Sequence, residues 1–260
     1  MPEVIIKRDG PIGHVIFSNP AKFNAMSIDM WEALPKAITE LDADSAIRVI
    51  VLQGDGEKAF VAGADISQFE SNRSEGEAQL RYNRAVEAAY LAPPGAAKPV
   101  IAKIRGVCMG GGLGLAAACD YRICSSDSRF RMPAGRLGLG YGQPGVRRFT
   151  QIIGVQNTYD LFFTARILGA ADALRIGFVA QVAEPAELDA ATAQWTNLVA
   201  ENAPLTLRAL KLTLNDLLRD AADRDPAAVK SALAACFASE DYKEGARAFM
   251  EKRKPDFRGR

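Results

Sequence analysis

The sequence predicts an α/β fold closed by a helical C-terminal quarter. Short apolar runs alternate with segments of helical periodicity through about residue 185. Turn dipeptides and prolines punctuate them at strand-like and helix-like intervals. Beyond that point the strand signals stop, so the chain divides into an α/β core over 1–185 and a helical region over 186–260.

The elements follow in order. Val4–Arg8 and His14–Ser18 are strand-like runs on either side of Asp9-Gly10, a pattern that predicts a β-hairpin. Ser27 is a fitting N-cap for a helix through Trp31 and Leu34. Val49-Ile-Val-Leu-Gln-Gly54 has the continuous apolar character of a strand buried on both faces. Glu77–Leu91 predicts a helix ended by Pro93-Pro94-Gly95, and Gln68–Glu77 a mobile loop before it. Val100–Gly106 is the next strand, Leu113–Cys119 a short buried helix, and Tyr121–Ser125 a further strand. Helices are then expected at Glu187–Asn202, Leu205–Arg219, Pro226–Ala238 and Tyr242–Lys252. No internal repeat is evident.

At 260 residues, with 48% hydrophobic and 24% charged residues, the composition is that of an ordinary globular protein. A formal net charge of +1 argues against a dedicated nucleic-acid binder. The first residues lack the apolar core of a signal peptide, and the apolar stretch Gly106–Cys119 is too short to span a bilayer. Cys108, Cys119, Cys124 and Cys236 form no C-x-x-C pair and read as reduced thiols of a cytoplasmic protein. A single histidine, His14, makes a His-based metal site untenable, so no metal is expected.

Two stretches rich in glycine and alanine would let a ligand approach the backbone: Ala59–Ile66 and Gly106–Asp120. Within the second, Gly112-Leu-Gly114-Leu-Ala-Ala117 fits a G-x-G-x-x-A dinucleotide pattern, with Asp127 after the next strand. That reading leaves the first stretch unexplained.

Taken as a pair, Ala-Gly-Ala-Asp65 and Gly110-Gly-Gly112 resemble the oxyanion-hole segments of the crotonase (enoyl-CoA hydratase/isomerase) superfamily. Lys22-Phe-Asn-Ala-Met-Ser27, the segment Thr164–Val182 and the end Phe249–Phe257 extend the resemblance over nearly the whole chain. It implies a ββα spiral core with a helical C-terminal trimerisation region, giving a homotrimer or a hexamer built as a dimer of trimers. It also implies an acyl-CoA thioester substrate, with coenzyme A part of that substrate and no permanently bound cofactor. The N–H groups of Ala64 and Gly111 would hold the thioester oxygen as an enolate forms, an effect worth roughly 10²–10³-fold per donor. Lys22, Phe23, Ala25, Ala62, Asp65 and Ile66 would surround coenzyme A, and Phe249 and Lys252 would reach it from the C-terminal end. A basic tail with Arg253, Lys254, Arg258 and Arg260 suits its phosphates.

The chain departs from the hydratases at two positions. Where they carry glutamates it has Gly114 and Ala134. A positioned acid or base contributes roughly 10²–10⁴-fold, so efficient hydration is not expected, and restoring both acids should raise it. Tyr141, in the loop Arg136–Gly145, aligns with a tyrosine of methylmalonyl-CoA decarboxylase relatives. Decarboxylation needs no base and leaves an enolate; Tyr141 would orient the departing carboxylate or relay a proton, and Arg136 would recognise it. The remaining alternative is a protein that binds CoA thioesters without converting them.

Overall fold

The computed structural model describes residues 1–65 and 76–260. β1 (Glu3–Asp9) and β2 (Ile12–Ser18) form the expected antiparallel hairpin, with Glu3 opposite Ser18 and Asp9 opposite Ile12. Ser27 caps α1 (Ile28–Ala43) by accepting a hydrogen bond from the Met30 N–H, and the helix buries Trp31, Leu34, Ile38 and Leu41. That face follows the three- and four-residue spacing of an amphipathic helix.

From there the chain winds as a spiral. β3 (Val49–Gly54) lies in one sheet, β4 (Ala59–Val61) in a second, and α2 (Gly76–Gly95) packs against α1. β5 (Val100–Ile104) returns to the first sheet, β6 (Val107–Met109) to the second, and α3 (Gly111–Ala118) follows. β7 (Tyr121–Ser125) and β8 (Arg129–Arg131) repeat the step before α4 (Gln143–Tyr159). Each turn of the spiral is therefore a ββα unit, as the resemblance implies.

β9 (Leu168–Gly169), α5 (Ala170–Arg175) and β10 (Gln181–Ala183) complete the core. The larger sheet has the order β1-β2-β3-β5-β7-β10 and is parallel beyond the hairpin; the smaller is β4-β6-β8-β9. Val49 and Val51 are fully buried because Trp195, Val199 and Ala200 of α6 (Leu188–Ala200) cover the sheet's outer face, while Ile50 and Leu52 pack into the main core on the other face.

α7 (Pro204–Leu217), α8 (Pro226–Ala238) and α9 (Glu240–Glu251) complete the C-terminal region close to their expected bounds. One buried side chain fastens it to the core. The Lys211 ammonium donates to the carbonyls of Pro93 at 2.7 Å and Lys98 at 2.9 Å, and pairs with the Asp120 carboxylate at 2.7 Å. Asn215 adds a bond to the Pro94 carbonyl. No helix among the described residues is long and apolar enough to cross a membrane.

Two expectations need correction, and some strands lay beyond sequence reading. α2 runs on through Pro93 and Pro94 to Gly95, because side chains of α7 take the carbonyls of its last turn. Strands of two or three residues, β6 and β9 among them, were too short to show a period. The loop expected at Arg136–Gly145 is narrower: a 3-10 turn (Ala134–Leu137) precedes it, residues 138–142 are irregular and carry Tyr141, and α4 begins at Gln143 with Pro144 in its first turn. The loop expected at Gln68–Glu77 lies outside the described residues up to 75; Gly76 and Glu77 already belong to α2.

Candidate active site

The two glycine- and alanine-rich stretches meet. Asn24 starts the arrangement: its side-chain amide donates to the carbonyls of Asp55 and Ala59, which fixes the 22–26 turn beside β4. Ala62 N–H then donates to Phe23, Met26 N–H to Gly63 and Asp65 N–H to Met26. Ala64 and Met26 form a parallel bridge, so the Ala64 N–H points away from Met26, towards the other side of the strip. On that side stands the turn into α3. A Cβ built on Gly63 would lie 3.8 Å from the Gly111 nitrogen, and one on Gly110 would lie 3.9 Å from the Gly63 Cα.

Gly110 takes φ 50° and ψ −117°, a conformation open to glycine. Gly112 allows the close approach to β4, since a side chain there would overlap the Val61 carbonyl. Gly111 is the first residue of α3, where an N–H has no partner within the helix. Among the described residues, neither the Ala64 nor the Gly111 N–H has a protein acceptor. Two free N–H groups on adjoining strips, one at a helix N-terminus, suit a carbonyl oxygen acquiring negative charge.

At Gly114 the structure adds something the sequence did not reveal. A Cβ there would lie 2.6 Å from the Tyr90 hydroxyl and 2.8 Å from that of Tyr141. The space of a side chain at position 114 is thus taken by two phenols from other elements. Tyr90, on α2, donates its hydroxyl hydrogen to the Gly111 carbonyl at 3.1 Å and packs edge-on against Trp31. Tyr141 is wedged edge-on among Phe149 and Phe162, over Gly145. Its hydroxyl is buried and has no hydrogen-bond partner among the described residues; the neighbouring Tyr90 hydrogen is already committed to Gly111. Burial pushes the Tyr141 phenol up to about 12, opposed by the neighbouring Tyr90 hydroxyl. The Tyr90 phenol is raised as well, first by burial and then by Tyr141 and Tyr82. Both remain protonated at neutral pH: donors and acids, not bases.

Ala134, the second position where the resemblance implies a glutamate in the hydratases, is a buried methyl next to Pro133, which lies beside the Gly110 turn. Arg136 is exposed on the 3-10 turn and makes no ion pair among the described residues, so it is not drawn into the cluster at Gly114. Lys22 is partly exposed and paired with the buried Asp65 carboxylate at 2.7 Å. Phe23 is half-exposed, Ala25 buried, and Ile66 lies outside the described residues. Phe249 and Lys252 are exposed at the end of α9. Much of the basic tail is spent internally: Arg253 pairs with Glu244 and Glu251, Lys254 with Glu201, and Arg258 with Asp256.

Sequence reasoning missed Tyr90 and Trp31 as site residues. Helical periodicity counts both as apolar core positions, and α2 carries a second phenol, Tyr82, eight residues before Tyr90. Phenols on the inward face of a helix were the available signal.

The family described as enoyl-CoA hydratase/isomerase matches residues 7–260. The short-chain-enoyl-CoA hydratase of Clostridium acetobutylicum is 36% identical over 253 residues, covering 96% of this chain and 95% of its own. A peroxisomal Δ(3,5)-Δ(2,4)-dienoyl-CoA isomerase of Arabidopsis thaliana is 32% identical, covering 98% and 96%. The crystal structure of an enoyl-CoA hydratase/carnitine racemase from Magnetospirillum magneticum superposes with a TM-score of 0.92 at 31% identity, covering 100% of this chain and 97% of that one.

Proposed function

This chain belongs to the enoyl-CoA hydratase/isomerase family, and from that premise we propose that it converts acyl-CoA thioesters through an enolate, without hydrating them efficiently. The Ala64 and Gly111 N–H groups would receive the thioester oxygen, and the layer formed by residues 22–26 and 62–65 would carry coenzyme A. The observation behind this reading is the pair of neutral phenols filling the place of a side chain at Gly114. Hydration needs a group that activates water. None of Tyr90, Tyr141, Gly114 or Ala134 can take a proton from water at neutral pH.

The same observation favours decarboxylation of a malonyl- or methylmalonyl-type thioester. Cleavage of the bond to the departing CO₂ leaves its electron pair on the α-carbon and thioester oxygen, where two N–H donors await it. No base is required, and a protonated tyrosine can return the proton. Mass spectrometry of a mixed acyl-CoA pool tests this. Malonyl- or methylmalonyl-CoA should lose CO₂ while crotonyl-CoA is hydrated slowly. Rapid crotonyl-CoA hydration by the wild-type protein would overturn the proposal. Binding of the whole pool with no conversion would leave the non-catalytic reading in its place.

The pH dependence should be distinctive. A carboxylate base gives a limb rising from about pH 4; here kcat/KM should have no such limb. It should fall only as Tyr141 ionises towards about 12. Folding shares the sign. Burial of the neutral phenol stabilises the native state fully below the ordinary value of 10.0, and that stabilisation is lost as pH rises through about 12.

Assembly as a homotrimer or hexamer is part of the proposal. α8 has no buried residue in the single subunit although it carries Leu233 and Phe237, and Leu210 and Leu214 of α7 are also exposed. Apolar helical faces of this kind suit burial against other copies of the chain.

A further inference from the structure

Tyr90 has no place in the chemistry described so far. Three observations give it one. Its hydroxyl and that of Tyr141 converge on one point, within 2.6 and 2.8 Å of where a Cβ of Gly114 would be. The Tyr90 hydrogen is fixed on the Gly111 carbonyl at 3.1 Å, so its oxygen is held still beside the turn that bears the Gly111 N–H. The Tyr141 hydroxyl is buried and unpartnered among the described residues. A buried hydroxyl in that state is costly unless a ligand completes it.

We propose that Tyr90 is a positioning residue for Tyr141, and that the two phenols act as one proton-delivery pair in which Tyr141 protonates the substrate α-carbon. The proposal rests on the enolate reading above. The Tyr141 O–H bond breaks as a C–H bond forms at the α-carbon; the enolate's electron pair makes that bond, the thioester carbonyl is restored, and Tyr141 is left as phenolate. The Tyr90 hydroxyl then turns from Gly111 to donate a hydrogen bond to that phenolate until a proton from solvent replaces the one transferred. Nothing is oxidised or reduced.

The arrangement also fixes the face of protonation. Tyr141 is wedged by Phe149 and Phe162 and comes from α4's approach, while Tyr90 comes from α2. A proton delivered by Tyr141 reaches one face of a planar enolate, whereas water would reach either.

The test compares wild type with Tyr90→Phe and Tyr141→Phe, each checked by circular dichroism for intact folding. With methylmalonyl-CoA in D₂O, wild type should give one enantiomer of α-deuterated propionyl-CoA. Tyr141→Phe should lower kcat at least 100-fold and give a racemic label. Tyr90→Phe should lower kcat roughly tenfold with KM unchanged, and erode the enantiomeric excess. Ultraviolet titration of the phenols supplies a readout that needs no turnover: removing the Tyr90 hydroxyl should move Tyr141 ionisation to higher pH. Wild-type rate and enantiomeric excess in Tyr90→Phe, or an unmoved Tyr141 titration, would overturn the pairing. Should wild type convert no β-carboxyacyl-CoA, the enolate reading fails by itself, and the titration still decides whether the two phenols are coupled.

Discussion

Replacing Gly114 and Ala134 together with glutamate is expected to destabilise the protein and leave its hydratase activity unchanged. Sequence reasoning led to the opposite expectation, that restoring both acids would restore hydration. The structure reverses it, because the first atom of any side chain at position 114 would overlap the hydroxyls of Tyr90 and Tyr141. Overpacking of this kind costs about 1–3 kcal/mol, and Gly114→Ala alone should show it in thermal denaturation. Tyr90→Ala should relieve the strain, so the two substitutions should be clearly non-additive in a double-mutant cycle. Only after Tyr90→Ala and Tyr141→Phe clear the space should the two glutamates raise crotonyl-CoA hydration, by roughly tenfold or more given what one positioned base contributes. A Gly114→Glu, Ala134→Glu protein that hydrates crotonyl-CoA rapidly and melts like wild type would refute this account of the site.

Lys211→Ala should produce the largest loss of stability of any surface-distant change we consider, about 3–5 kcal/mol. The ammonium is 8% exposed and satisfies the Asp120 carboxylate and the carbonyls of Pro93 and Lys98 together. Its removal would leave a carboxylate that also accepts from the Val100 N–H, and two carbonyls, without their cation. Lys211→Met should lose nearly as much, since the apolar stem is kept and only the charge is gone. At this chain length the change corresponds to a fall in Tm of roughly 10 °C. A loss below about 1 kcal/mol in either variant would show that α7 is held mainly by packing.

The centre of the larger sheet was legible because β3, β5 and β7 are buried on both faces. Val49–Leu52 must be apolar throughout, and such a run stands out even in a single sequence. The smaller sheet was not, since β4, β6 and β8 have three residues each and are defined by their neighbours rather than by their own pattern. The proline rule failed at Pro93 for a related reason: the donors that complete the helix end, Lys211 and Asn215, lie more than a hundred residues away in the chain. The backbone half of the site could be read, because Gly110 and Gly112 are required locally by the turn and by the approach to β4. The side-chain half could not. The glycine at position 114 is visible in the sequence, but what fills the space beside it depends on α2 and on the segment leading into α4, which nothing local announces.

That division has a consequence for how chemistry is distributed over the spiral. The α3 turn belongs to one ββα unit, Tyr90 to the unit before it, and Tyr141 to the segment after the next pair of strands. Each successive winding contributes one group to a single point beside Gly114. The arrangement behaves like a lock with three wards cut on separate plates: changing any one of them alters what can stand beside Gly114. In such an architecture the residue at position 114 is an incomplete label for activity, and the helix that packs behind it has an equal say.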